Sequence, residues 1–255
     1  MKGELLMYTV EICHLYPELL NLYGDKGNVI ALKKRCEWRD INVIVHNVSL
    51  GDEFIPDKYD IVFIGSGQSY EHEIIRDDLL TNKGPAVKDA IESNKVFLAI
   101  SGGFQLLGKY CKTVDDRELE FLGALDLWTI SSQERMIGNI ILECGFLKNE
   151  NFDGKIVGFE NHSGKTYLGN GVKPLGKVVN GYGNNGEDGN EGAVYKNVYC
   201  SYLHGSLLPK NPALTDYLLE TALNNKYRDF GPLPRLDDSL EIAASKSMIN
   251  RIIKK

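Results

Sequence analysis

The first hundred residues constrain the fold most, because short apolar runs alternate there with segments of helical spacing. The runs are "LMYTVEIC" (6–13), "INVIVHNV" (41–48), "DIVFIG" (60–65) and "VFLAI" (96–100), with helical patterns over about 28–39 and 86–94. A parallel strand pair needs a crossover rather than a tight turn, so this order predicts an α/β fold: a mostly parallel sheet covered by helices. Ligand sites in such sheets lie beyond the carboxyl ends of the strands. Two polar turns, Gly65-Ser66-Gly67 and Ser101-Gly102-Gly103, fall at such ends.

From about Leu119 the pattern changes to β-rich pieces, "RMIGNIILEC", "KIVGFEN" and "AVYKNVYCSYLHG", divided by Gly- and Asn-rich turns. The richest of these, "NGYGNNGEDGNEG" (180–192), opens onto no helix and carries acids rather than lysine. It reads as a surface loop or long hairpin turn rather than a phosphate cradle. Helical spacing returns in "LTDYLLETALNNKY" and in "DSLEIAASKSMINRIIKK", whose basic end suits the dipole of a solvated helix terminus. No repeat or linker divides the chain, so 1–255 reads as one domain with 225–255 as a C-terminal helical extension.

Composition excludes some classes of partner. The chain of 255 residues is 43% hydrophobic and carries a net charge of -6, with no dense Lys/Arg cluster, which argues against nucleic acid. Five scattered cysteines without a C-x-x-C pair read as reduced thiols of a cytoplasmic protein. No run approaches the roughly 20 apolar residues of a membrane span, and no leader is recognised, so the chain is not expected to be membrane-embedded. No cluster of His, Cys and acids has metal-ligand spacing, so no metal is predicted.

The stretch "VFLAISGGFQLLG" (96–108) carries the chemistry. Strand, sharp turn and helix lift one side chain above the sheet and aim the first helical N–H groups at the same place, a layout that presents a nucleophile beside oxyanion donors. Ser101 stands there, in a near match to G-x-S-x-G with Ala99 in the first place. A base is then required, and five histidines are available. His204 follows the apolar run "NVYCSYL" and His162 lies in "GFENHSGKT", both at expected strand ends. Spacing alone does not choose between them. His14, His46 and His72 read as structural or exposed.

"LYGDKGN", "FIGSGQ", "AISGGFQLLG", "GFENHSGKTYLG", "YGNN" and "YLHGSLLPKNP" occur in the order and spacing of the class I glutamine amidotransferases of the cobyric acid synthase type. The resemblance runs from about Tyr8 to Asn211. Within that type the chain looks most like the branch that serves as the glutaminase subunit of lipid II isoglutaminyl synthase. The resemblance implies a flavodoxin-like class I amidotransferase fold. It implies Cys where this chain has Ser101, and His204 as the base.

A thiol with a pKa of roughly 8.5 ionises far more readily than a hydroxyl, which depends on a well-oriented His–carboxylate pair. Class I enzymes commonly place Glu two residues after the His, where this chain has Ser206, and in this branch a carboxylate of the partner subunit is thought to complete the triad. Ser101 therefore reads as an inactivating Cys-to-Ser change, introduced to silence the enzyme or trap substrate, ahead of a natural loss of activity. The resemblance further implies that Gly102 and the turn Gly65, Ser66 and Gly67 form the oxyanion hole. It implies that Arg135 holds glutamine, and that Asn161, His162 and Ser163 form a loop near the substrate. Gln105 sits on the helix face toward substrate, and Asp25 is explained as an N-cap.

The chain has no Walker-type phosphate loop, so no cofactor is expected on it. ATP and Mg²⁺ fall to a partner, by resemblance a Mur-ligase-like ATP-dependent subunit (MurT type). That pair amidates the D-glutamate of lipid II to D-isoglutamine, reaching the lipid-linked substrate through the partner. Two other classes remain open: a serine hydrolase or peptidase using Ser101 and His204, and a non-catalytic glutamine-binding regulatory subunit.

Overall fold

The computed structural model describes residues 8–228 and 230–253. The first two residues of the strand expected at 6–13 and the last two of the C-terminal helix lie outside the described residues. In chain order the strands are β1 (Thr9–Leu15), β2 (Asn42–Val48), β3 (Ile61–Ile64), β4 (Val96–Ile100), β5 (Tyr110–Lys112), β6 (Glu118–Glu120), β7 (Leu127–Glu143), β8 (Lys155–Leu168), β9 (Gly176–Asn180), β10 (Asn190–Glu191), β11 (Ala193–Tyr195), β12 (Val198–Ser201) and β13 (Leu203–His204). The helices are α1 (Lys26–Glu37), α2 (Ser69–Asp77), α3 (Gly84–Glu92), α4 (Gly102–Leu106), α5 (Leu207–Lys210), α6 (Pro212–Lys226) and α7 (Ser239–Ile253), with a π-helical turn at Asp78–Lys83 between α2 and α3.

Among the described residues the strands form two sheets. The first runs β11-β12-β4-β3-β1-β2 and is parallel except at β11, which pairs antiparallel with β12. Its central strands β3 and β4 are continuous apolar runs buried at every position, as expected of strands covered on both faces. The edge strand β2 leaves several positions exposed instead. One apolar core lies on each side: Val62, Phe97 and Val87 pack on one face, Phe63, Leu98 and Leu218 on the other.

The second sheet is built on the long antiparallel hairpin of β7 and β8. Here the sequence expectation needs correction, because the strand expected to end at "KIVGFEN" continues to Leu168. Asn161, His162 and Ser163 therefore lie within β8 and not in a loop. Alternating burial along β8 keeps it extended, and the irregularity falls on its neighbour: β7 has four residues between Ser131 and Met136 where β8 has one between Gly164 and His162. Arg135 lies in that bulge and is exposed.

The Gly-rich stretch at 180–192 is the turn between β9 and β10, with one departure from a surface loop. Asn184, Asn185 and Glu191 are buried, and Asn184 exchanges side-chain hydrogen bonds with the backbone of Gly192. The stretch plugs the junction of the two sheets.

Candidate active site

Ser101 follows β4 directly and begins α4. Its backbone is at φ 50, ψ -101, a region a residue with a Cβ occupies only when its surroundings enforce it, at a cost of roughly 1–3 kcal/mol. The enforcing contacts are backbone bonds on both sides: Ser101 N–H donates to Ser201 C=O of β12, and Gly103 N–H donates to Gly65 C=O after β3. The side chain is left half-buried at the floor of a cleft of about 400 Å³. Gly102, Gly67, Gln105, Arg135 and Asn161 are among the residues lining that cleft, with His162 and Ser163.

Glycine at 102 is required by its neighbours. A Cβ there would stand 2.3 Å from His72 Nε2 and 2.9 Å from both the nitrogen and the oxygen of Gly67. The backbones of Gly67 and Gly102 therefore approach one another closely in the cleft beside residue 101. Gly65 and Ser66 do not line the cleft. The Ser66 N–H is committed to Asp25 Oδ2 at 2.8 Å, and Gly65 packs where a Cβ would fall 2.0 Å from Leu20 O. Of the four residues expected from sequence to form the oxyanion hole, Gly67 and Gly102 line the cleft.

His204 reaches this end of the sheet because the chain changes sheets after β12. Ser201 pairs with Ile100 of β4, whereas His204 pairs with Phe159 of β8. Gly158 permits the crossing, since a Cβ there would meet Leu203 at 2.5 Å. The corner is pinned by Glu191, which accepts from Tyr202 N–H at 2.6 Å and Ser201 Oγ at 3.2 Å. Burial pushes the Glu191 carboxyl up to about 8.

The imidazole of His204 is buried, and neither ring nitrogen has a hydrogen-bond partner. Its Nδ1 lies 3.9 Å from Asp25 Oδ1. Tyr23 covers the ring at 4.7 Å between centroids and itself lines the cleft, whereas His204 does not.

Arg135 donates from Nε to Asn161 Oδ1 at 2.5 Å and from Nη2 to Tyr23 Oη at 3.4 Å, and Asn161 Nδ2 donates to the same hydroxyl at 2.8 Å. The exposed guanidinium has no carboxylate partner among these bonds, so it can receive one from a ligand. Gln105 donates to Tyr202 Oη at 2.9 Å and is half-buried rather than a free surface amide. His162 stacks on Tyr202 at 3.7 Å, hydrogen-bonds Gly164 C=O through Nδ1 at 2.9 Å, and is pushed down to about 4 by burial. It stands in the cleft wall with its Nε2 buried and without a hydrogen-bond partner.

Three residues with a place here were not singled out for it from the sequence. His72 on α2 lines the cleft against Gly102 and is also pushed down to about 4 by burial. Tyr23 stands at φ 58 in the turn before α1. Asp25 was read as an N-cap, yet its side chain makes no cap: Asn21 Oδ1 accepts from Lys26 N–H at 2.8 Å, and Asp25 turns inward to Ser66.

A parallel sheet with a strained strand-to-helix elbow at its carboxyl edge and glycine backbone beside the elbow is the layout of the class I glutamine amidotransferase fold. A glutamine amidotransferase of Thermotoga maritima shares the fold, with a TM-score of 0.52 at 16% identity over 96% of this chain and 99% of the other. The chain belongs to the family of CobB/CobQ-like glutamine amidotransferase domains, whose model matches residues 11–212. It is 44% identical to subunit GatD of the glutamine-hydrolysing lipid II isoglutaminyl synthase of Streptococcus pneumoniae, over 94% of this chain and 91% of that one. The GatD subunit of Staphylococcus aureus is also 44% identical, over 96% of this chain and 97% of its own length.

Proposed function

We propose that this chain is the glutamine-hydrolysing subunit of a lipid II isoglutaminyl synthase, and that residue 101 is its nucleophile position. The observation that carries this is the strained elbow at residue 101 in a cleft lined by Gly67, Gly102 and Tyr23, with His204 packed behind Tyr23, in a chain 44% identical to GatD over most of both lengths. With a thiol at 101, the sulfur attacks the side-chain carbonyl of glutamine and the developing oxyanion is met by the N–H groups of Gly67 and Gly102. His204 takes the thiol proton and returns it to the leaving nitrogen, so that ammonia departs and a thioester remains. Water attacks that thioester and releases glutamate. Arg135 holds the carboxylate of glutamine, with Asn161, Ser163 and Gln105 as the polar wall.

Ser101 is on this reading an inactivating replacement of the thiol. The hydroxyl needs a base already bonded to it, and His204 has no hydrogen-bond partner at either nitrogen. Ammonia passes to a Mur-ligase-like ATP-dependent subunit of the MurT type, which binds ATP and Mg²⁺ and amidates the D-glutamate of lipid II to D-isoglutamine. The pair works in the cytoplasm, and this chain meets the lipid-linked substrate only through its partner. No described helix is long and apolar enough to cross a membrane.

An electrophilic glutamine analogue with a diazoketone side chain tests the site. Mass spectrometry should find it bonded to residue 101 in Ser101→Cys and absent from the unchanged chain, with glutamine protecting. Labelling of the unchanged Ser101 by a fluorophosphonate, with no reaction of the thiol variant toward the glutamine analogue, would instead make the chain a serine hydrolase.

A further inference from the structure

Tyr23 stands between the cleft and His204. Its ring lines the cleft and packs on the imidazole at 4.7 Å between centroids, whereas His204 lies behind it, buried and with neither ring nitrogen bonded. The Tyr23 hydroxyl reaches the second sheet, where it accepts from Asn161 Nδ2 at 2.8 Å and from Arg135 Nη2 at 3.4 Å. A side chain that is 41% exposed is thereby tied at its tip to two residues of the cleft wall.

The backbone beneath it is fixed. Tyr23 is at φ 58, ψ 20, left-handed for a residue with a Cβ, in the turn Leu22–Gly24. That turn is held at both ends: Leu22 N–H donates to Ser66 C=O at 3.0 Å, and Gly24 C=O accepts from Ser206 Oγ at 2.8 Å. Backbone strain enforced in this way clusters at ligand clamps and switches. Rotation about Cα–Cβ is the motion left to the side chain, and only the bonds at its tip oppose it. Those bonds end on a neutral phenol oxygen, and the one from Arg135 is long. A carboxylate at the same guanidinium makes charge-assisted bonds roughly twice as strong and with two prongs. A ligand that brings a carboxylate therefore takes Arg135 from the hydroxyl. Asn161, held at Oδ1 by Arg135 Nε at 2.5 Å, is loosened by the same shift.

We propose that Tyr23 is a specificity-determining gate. In the empty site its hydroxyl holds the ring over His204. The α-carboxylate of glutamine displaces that hydroxyl from Arg135, the ring swings aside, and the imidazole opens to the cleft. An amide that lacks an α-carboxylate leaves the gate shut. The inference rests on the proposed function in taking glutamine as the ligand and Arg135 as the group that receives its carboxylate.

The test follows the ring protons of His204 by NMR of the full chain labelled at histidine. The unchanged chain, with Ser101, serves for this because no turnover is needed. Tyr23→Ala removes the neighbouring aromatic ring and shifts these signals. Glutamine should shift them in the same direction in the unchanged chain and add little in Tyr23→Ala. Tyr23→Phe keeps the ring and drops the hydroxyl, so it should bind glutamine roughly 3- to 10-fold more tightly by calorimetry, since a latched form lowers apparent affinity. In the Ser101→Cys background, kcat for glutaminamide, whose α-carboxylate is amidated, should lie at least roughly tenfold below kcat for glutamine, and Tyr23→Ala should narrow that gap. Glutamine that binds without moving the His204 signals overturns the gate and leaves the proposed function standing. Weaker binding by Tyr23→Phe does the same, as do equal kcat values for the two amides with Tyr23 in place. No binding of glutamine to the unchanged chain or to either variant overturns the proposed function and the gate with it.

Discussion

At residue 101 the backbone is held at φ 50 by bonds to two neighbouring strands, and the space around it is as restrictive as the torsion. Gly102→Ala places a methyl group against His72 and the Gly67 backbone. Of those neighbours only the imidazole can give way, so the variant should lose about 1–3 kcal/mol of stability by urea titration and, in the Ser101→Cys background, its glutaminase activity. Arg135→Ala acts otherwise. The guanidinium is exposed and held only by Asn161 and Tyr23, so its loss should leave folding intact and raise KM for glutamine roughly 10- to 100-fold in steady-state assays.

The motif residues Ser101, Gly102 and Gly67 were legible in the sequence because a turn between an apolar run and a helix announces itself. Tyr23, His72 and the inward turn of Asp25 were not. Their roles follow from which side chain fills the space between β1, β3 and β12, which no local pattern encodes.

The elements place His204 by a change of sheet. The chain leaves the parallel sheet at Ser201 and joins β8 at Leu203, passing over Gly158. Gly158→Val should push β13 off β8 and carry His204 with it. In the Ser101→Cys background kcat should fall more than KM rises, with a lower thermal midpoint, and a crystal structure should find His204 displaced. The alternation of strands and helices up to β4 was readable because parallel strands buried on both faces are uninterrupted apolar runs. The extent of β8 was not, because the "NHSG" segment has turn composition and is extended only through its long pairing with β7. The buried asparagines of the turn at 180–192 were hidden for the same reason: polar, Gly-rich sequence looks exposed until a plug of hydrogen bonds is seen to bury it.

For the whole molecule, burial of neutral imidazoles sets the acid limit. His14, His72 and His162 are each pushed down to about 4 by burial from an ordinary value of 6.5. The unfolded chain takes up these protons below about pH 6.5 and the folded chain does not until near 4, so stability is full above 6.5 and is lost as pH falls through that window. Glu191 acts in the opposite sense: its raised value of about 8 means a contribution present at low pH and lost as pH rises from the ordinary carboxylate range to 8. At about 1.4 kcal/mol per pKa unit, the three imidazoles outweigh the one carboxyl. The urea midpoint should therefore fall clearly between pH 7 and pH 4.5. His72→Gln should reduce that fall, and Glu191→Gln should flatten the decline from pH 7 to pH 9.

A glutaminase subunit with a hydroxyl where the reaction needs a thiol should be recognised by glutamate release. The unchanged chain and Ser101→Cys are each assayed alone and with a Mur-ligase-like ATP-dependent subunit. The expected result is no release from the unchanged chain, release from the thiol variant, and a rise when the partner is added. Absence of release from Ser101→Cys under all of these conditions, with the protein folded, would contradict it.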